Sequence, residues 1–245
     1  MVFPIFALMK PEQDIFGQAL IDYHKGAYTE DILVHCDILD DDYIPLPYLF
    51  RSLDEMPKLE QLALEKTYGR VLDVGCCAGS HSVYLQDKGL NVQAIDISEG
   101  AITVSRKRGV IKATSSSLLN HHGSYDTILL LMNGTGIFEC VDRVPEYLNH
   151  LRSLLRTKGQ VLLDGSDLRY LYEDDDGGFW FDTTKGYYGE LRFSLSYKKK
   201  RGTTFKWLYL DYELLNRYAT QAGLSCELLM EDVHYGYLAR LTVAM

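Results

Sequence analysis

No run in this sequence is apolar for the roughly 20 residues that a bilayer crossing requires. The apolar start, Met1 to Met9, contains Pro4, has no basic region before it and stops at Lys10. It does not read as an export signal, and these residues are expected to pack on the body of a cytoplasmic protein. Five cysteines include the adjacent pair Cys76-Cys77 but no Cys-x-x-Cys spacing. Neither a zinc site nor a disulfide framework is indicated, and no metal is expected. Basic residues are outnumbered, with 25 Lys and Arg against 34 Asp and Glu and a net charge of -9. That balance disfavours a broad electrostatic footprint for nucleic acid and points to a small-molecule substrate. Disorder has no compositional mark either: 245 residues at 47% hydrophobic and 24% charged can bury a substantial core as a single domain.

What is present is concentrated between Val71 and Ser98. Val71, Leu72 and Val74 form an apolar run broken only by Asp73, as in a strand buried on both faces. Gly75 and Gly79 allow a sharp turn and a close approach of backbone to ligand. A helix starting near Gly79 or Ser80 aims its unpaired N–H groups over that turn. A second strand, Asn91 to Ile97, brings Asp96 to its end, where a carboxylate can accept both hydroxyls of a ribose. The arrangement suits an adenosine.

Dinucleotide enzymes share this plan but use Gly-x-Gly-x-x-Gly to seat a pyrophosphate. Here Cys76, Cys77 and Ala78 separate Gly75 from Gly79, and no glycine stands two residues after Gly75. The line Asp73-Val74-Gly75-Cys76-Cys77-Ala78-Gly79 instead resembles the first motif of the class I S-adenosylmethionine-dependent methyltransferases, with Cys77 in place of the middle glycine. Tyr125 to Gly134 is similar to that family's fourth strand, and Lys158 to Asp164 to its fifth, so the likeness spans roughly residues 70 to 165. The chain looks like the uncharacterised small methyltransferase-like proteins of bacteria in this class.

The resemblance implies a Rossmann-like α/β fold: a mostly parallel seven-stranded sheet with an antiparallel C-terminal strand and helices on both faces. It implies S-adenosylmethionine as cofactor, with Asp73 and the backbone of Gly75, Cys77 and Gly79 around the methionine moiety, Asp96 on the ribose and Ile97 against the adenine. Ser116 is placed near the adenine amino group, where the family often has an acid. Met132 and Asn133 are placed beside cofactor and acceptor at the end of the fourth strand. No Pro-Pro-aromatic follows Asn133, which speaks against adenine or glutamine amides as acceptors. Should the acceptor need a base, His81 and Asp164 are candidates, and Asn133 is a candidate for orienting it. Each has a plain alternative: packing or capping for His81, a turn for Asn133-Gly134.

A single domain over 1–245 is expected, divided into an N-terminal helical extension (1–68), a cofactor-binding half (69–164), an insertion (165–211) and a C-terminal helix with two strands (212–245). Apolar spacing predicts helices from Pro11 to Tyr23, from Pro57 to Lys66, across Val144 to Leu155, and from Asp211 to Ala222 before Gly223. Ile32 to Val34 reads as extended and Asp40 to Pro47 as loop. In the insertion, Leu191 to Tyr197 and Phe205 to Tyr209 alternate about a turn at Lys199-Lys200-Arg201-Gly202, an inserted β-hairpin. Its basic tip reads as solubilising, the acidic loop Asp174 to Gly178 as solvated, and Trp180, Tyr187, Tyr188 and Trp207 mainly as hairpin core. The function expected is methyl transfer to a small acceptor. A non-catalytic S-adenosylmethionine-binding protein and an NAD(P)-dependent oxidoreductase are the alternatives.

Overall fold

A computed structural model describes residues 13–173, 178, 181 and 186–244. Met1 to Met9, Pro11, Asp174 to Gly177 and Trp180 lie outside the described residues. In chain order the elements are α1 (Ile15–His24), β1 (Ile32–Cys36), β2 (Asp42–Ile44), α2 (Lys58–Lys66), β3 (Arg70–Val74), α3 (Ser80–Asp87), β4 (Asn91–Asp96), α4 (Glu99–Lys107), β5 (Ala113–Ser115), β6 (Tyr125–Leu130), α5 (Val144–Leu154), β7 (Leu155–Ser166), β8 (Glu190–Tyr197), β9 (Lys200–Arg201), β10 (Phe205–Leu208), α6 (Tyr212–Gln221), β11 (Leu224–Glu231) and β12 (Gly236–Val243).

The seven-stranded sheet has the order β11-β12-β7-β6-β3-β4-β5. β3, β4 and β5 run parallel, as do β6 and β7. β12 is antiparallel to β7, and β11 to β12. The expected mostly parallel Rossmann-like sheet with an antiparallel C-terminal end is therefore present. A second sheet has the order β10-β8-β1-β2, with β9 on β8.

Two compact units divide the chain. The first comprises Met1–Met56, Tyr68–Gly123 and Ser194–Thr204. Its core gathers Val71, Leu72, Ala94, Ile95 and Ala101, all buried, which is why these strands read as apolar runs. α4 begins on Ser98, whose Oγ accepts the Ala101 N–H at 2.9 Å, and ends with Arg106 and Lys107 in its last turn. The second unit comprises Pro57–Thr67, Ser124–Phe193 and Phe205–Met245. There α5 buries the stripe Val144, Tyr147, Leu148, Leu151 and Leu154, and the core strands bury Ile128 to Leu130 and Val161 to Leu163. α6 is capped by Asp211, whose Oδ1 accepts the Leu214 N–H at 2.8 Å, and is followed by Gly223 at φ +72°.

Several expectations are corrected. The hairpin turn falls at Lys198-Lys199, not at 199–202: both have positive φ (47° and 62°), and Tyr197 pairs with Lys200. Such a turn matches strand twist but ordinarily recruits Asn-Gly, so sequence gave no cue to it. Lys198 is more than solubilising, because its Nζ reaches Asp22 Oδ2 at 2.8 Å and its N–H reaches Glu30 Oε1 at 2.6 Å. Asp42, read as loop, opens β2, which pairs with β1. Leu155, read as helix, already belongs to β7.

Candidate cofactor site

β3 delivers the chain into the turn at Gly75, where φ is +73°. The N–H groups of Gly75 and Cys76 donate to the Ile95 carbonyl at 2.9 and 3.1 Å, and Gly79 N–H closes the turn on the Cys76 carbonyl at 2.7 Å. Cys77 has φ +50°, a left-handed conformation that costs a side-chain-bearing residue energy and glycine none. The departure from the glycine motif thus changes the residue and keeps the backbone. Gly79, the N-cap of α3, has φ +85°, and a Cβ there would lie 2.8 Å from Val110 Cγ2 and 3.0 Å from Ser105 Cβ. Its missing side chain serves a close approach between loop and neighbouring protein atoms.

Asp96 closes β4 and braces this turn. Its Oδ2 accepts the Cys77 N–H and its Oδ1 the Ser98 N–H, each at 2.9 Å. Burial raises its pKa to about 6; the two N–H bonds oppose the rise, and the charges of Asp14 and Asp73 add to it. Burial likewise lifts the Cys77 thiol to about 12, with Asp96 adding to the effect and Arg51 and Arg108 opposing it. Asp73 is 2% exposed and accepts the Ser82 hydroxyl at 2.5 Å, tying the end of β3 to the first turn of α3. Its pKa is raised by burial, against the charge of His81. His81 is itself 8% exposed, inside that first turn.

Beyond Asp96, Ile97 is 50% exposed, an apolar surface at the end of the strand. Ser116 N–H donates to the Asp96 carbonyl at 2.9 Å, and its hydroxyl turns to the Ser117 carbonyl at 3.0 Å. The buried hydroxyls of Ser115 and Ser117 have no hydrogen-bond partner among the described residues. Orphaned polar atoms next to a half-buried carboxylate suit a polar ligand such as an adenosine. Asp14, missed from sequence, also reaches this place: its Oδ1 accepts the Gly17 N–H at 2.8 Å, while Oδ2 accepts the Ser98 hydroxyl at 2.8 Å and the Gly100 N–H at 2.9 Å. One buried carboxylate caps α1 and α4 together. Its position before a helical pattern was a visible N-cap signal; the partners 84 and 86 residues away were not.

In the second unit, β6 runs into Met132 and Asn133, both left-handed at φ +68° and +58°. Asp164, at the end of β7 and 7% exposed, holds them with both oxygens: Met132 N–H reaches Oδ2 and Gly134 N–H reaches Oδ1, each at 2.9 Å. Ser166 donates its hydroxyl to Asn133 Oδ1 at 2.7 Å. Gly136 lies under Trp207, whose ring atoms come within 1.8 Å of where a Cβ would stand. Trp207 therefore packs on the segment after Asn133, a contact that the hairpin pattern did not disclose. Tyr187 and Tyr188 precede β8 and bond instead to Asp211 (2.6 Å) and Asp167 (2.7 Å).

Among the described residues, no group of three or more His, Cys, Asp and Glu is placed to hold a metal ion, and no helix is long and apolar enough to cross a membrane. A family model described as a methyltransferase domain matches residues 48–225, more than half of the chain. The chain is similar to a crystal structure of an S-adenosylmethionine-dependent methyltransferase from Bacteroides fragilis in complex with S-adenosyl-L-homocysteine. Identity is 41% over 98% of this chain and 99% of that one, with a TM-score of 0.92. More distant likenesses, which concern the fold alone, include the CcbJ methyltransferase from Streptomyces caelestis (13% identity, 81% of this chain and 98% of that one, TM-score 0.61). Another is an S-adenosylmethionine-dependent methyltransferase from Clostridium acetobutylicum (15%, 76% and 88%, 0.54). No curated protein matches the sequence. The chain belongs to the class I S-adenosylmethionine-dependent methyltransferases, with S-adenosylmethionine as methyl donor. Neither the nicotinamide reading nor the non-catalytic one draws support from these likenesses.

Proposed function

We propose that this methyltransferase acts on a small-molecule acceptor and that it binds its cofactor along the ends of β3, β4 and β5. The observation that carries the cofactor placement is the half-buried Asp96 carboxylate, fixed beside the glycine turn and next to the orphaned hydroxyls of Ser115 and Ser117. In this reading Asp96 takes the ribose hydroxyls, Ile97 lies against the adenine, and Ser116 stands near its amino group. The backbone of Gly75, Cys77 and Gly79, with Asp73 behind it, surrounds the amino-acid end.

The bound cofactor supplies a methyl group already activated on a sulfonium, so the protein's task is to hold the acceptor at attack distance and exclude water. Asn133, with Met132 beside it, is proposed to face cofactor and acceptor. Ser166 occupies its amide oxygen, which turns the NH2 group away from Ser166. Backbone strain at two successive positions is typical of sites where a side chain must be presented precisely. Asp164, with both oxygens engaged by amides, positions that turn and is a poor base. His81, buried beside Asp73, is proposed to pack and to support the motif acid. The net charge of -9 favours a small acceptor over a polyanion.

Calorimetry with S-adenosylhomocysteine, using NADH and NADPH as controls, tests the cofactor site. Stoichiometric binding of S-adenosylhomocysteine alone is expected. Release of S-adenosylhomocysteine is then followed with small amines, alcohols and carboxylates, beside RNA and protein. Turnover confined to macromolecules would defeat the small-acceptor reading.

A further inference from the structure

Three side chains of the second sheet and its β1–β2 loop stand in the order carboxylate, imidazole, hydroxyl. His35, on β1, places Nδ1 2.8 Å from Asp41 Oδ2 and Nε2 2.8 Å from Oγ of Ser196 on β8. An ionised carboxylate only accepts hydrogen bonds, so Asp41 fixes a proton on Nδ1 and leaves the Nε2 lone pair of the neutral ring to the Ser196 hydroxyl. The serine is then the donor, its proton already directed at a base. β1 and β8 are neighbours in the sheet, which brings together residues 161 apart in sequence. All three residues belong to the first compact unit, and none of them takes part in the cofactor site described above.

The surroundings add what acyl transfer requires. Arg201, on β9, is the cross-strand partner of Ser196, so the two side chains leave the sheet on the same face. Its Nε donates to the hydroxyl of Ser194, on that face as well, at 2.9 Å. A guanidinium held there can neutralise the charge that develops on an oxygen when Ser196 attacks the carbon bearing it. His35 and Ser196 are half-buried and Asp41 and Arg201 exposed, which leaves the group open to a small solute. Ile38 and Leu39, exposed on the loop that leads to Asp41, offer apolar surface to an acyl chain.

We propose that Asp41, His35 and Ser196 form a second reactive centre, a nucleophilic serine that hydrolyses uncharged carboxylic esters with a short apolar acyl group. Ser196 Oγ bonds to the ester carbonyl carbon, its proton passes to His35 Nε2, and the carbonyl π pair moves onto the oxygen beside Arg201. As the bond to the alcohol oxygen breaks, that oxygen takes the proton from His35. Water then attacks the acyl-serine and gives a proton to His35, and Ser196 Oγ recovers it as the carboxylic acid leaves. Ester and water are the only reactants. Ser196 and His35 are the catalytic residues, and Asp41 is a positioning residue that acts through the imidazole.

The full chain is treated with a fluorophosphonate probe and, separately, with p-nitrophenyl butyrate, and adducts are mapped by mass spectrometry of its peptides. A phosphonyl adduct on Ser196 and release of p-nitrophenolate above the rate in buffer are expected. Ser196→Ala should abolish both, and His35→Ala should slow both by about a hundredfold, as for loss of a general base. Asp41→Asn no longer fixes the tautomer and should lower kcat with KM little changed, whereas a merely loosened loop would move KM. Arg201→Gln should lower kcat in the same way. Melting temperatures report whether each variant is folded, and the wild-type peptide map decides the matter where Ser196→Ala is not. An adduct map without Ser196, ester hydrolysis undiminished in folded Ser196→Ala, or labelling equally fast in His35→Ala would overturn the proposal.

Discussion

With the ribose on Asp96 as proposed, protonation of that carboxylate predicts a pH signature for cofactor binding. A carboxylate accepts the two ribose hydroxyls and a carboxylic acid does so poorly, so binding needs the ionised form. In the ligand-free protein that group titrates at about 6, because burial outweighs its two backbone N–H bonds. The sign follows: affinity for S-adenosylhomocysteine is full above about pH 7 and falls as pH drops through 6, reaching about a tenfold loss near pH 5 by proton linkage. Replacing Asp96 with Asn should lower affinity at about pH 7.5 by roughly 1.5 to 3 kcal/mol, the range for hydrogen bonds to a charged group. It should also flatten the profile between about pH 5 and 7. Calorimetric titrations of both proteins across that window make the measurement, and the Asn variant subtracts any other group that titrates there. A wild-type profile as flat as the variant's would refute the reasoning, as would an Asn variant that binds like the wild type.

Asp14→Ala removes a cap from α1 and two bonds to the start of α4, and a stability loss of about 2 to 4 kcal/mol is expected in urea titrations. Because the Asp14 charge raises the Asp96 pKa, Asp14→Asn should also move the midpoint of the binding profile to lower pH; an unmoved midpoint would show that the two carboxylates do not interact. Gly79→Ala meets Val110 and Ser105 at a positive φ, and about 2 to 4 kcal/mol of lost stability is expected. A melting temperature equal to that of the wild type would contradict the close approach. Gly136→Ala would drive a Cβ into the Trp207 ring, so the tryptophan emission should shift towards that of an exposed indole, and an unchanged spectrum would count against the stacking.

The elements that sequence disclosed well are those whose pattern is local. The apolar run of β3, the glycines of the turn and the carboxylate ending β4 are contiguous chemistry, and the stripe of α5 is spaced for one buried face. The strands and the turn of this part of the sheet were legible for that reason. The turn at Lys198-Lys199 was not, because its first left-handed residue, Lys198, is held by Asp22 of α1 and by Glu30 after it rather than by its own propensity. The second sheet was legible only in pieces: Ile32 to Val34 and the hairpin strands read as extended, but β2 is three residues long and largely exposed, and the pairing of β1 with β8 joins segments more than 140 residues apart. Arg108 carries no motif, and its place beside the turn follows from contacts 30 and 58 residues apart. The conformation at Met132-Asn133 was unreadable because a left-handed turn there is held by Asp164, 30 to 32 residues on, a relationship that spacing does not encode.

A single carboxylate starting two helices has a practical consequence for handling this chain. Residue 14 marks a boundary for N-terminal shortening, since a cut beyond it removes an oxygen that α4 depends on as much as α1 does. Gly17 and Gly100 sharpen the point, for a Cβ on Gly100 would fall 2.4 Å from Gly17 Cα. Cargo added near α1 must therefore leave that backbone seam undisturbed, or the damage will reach the start of α4.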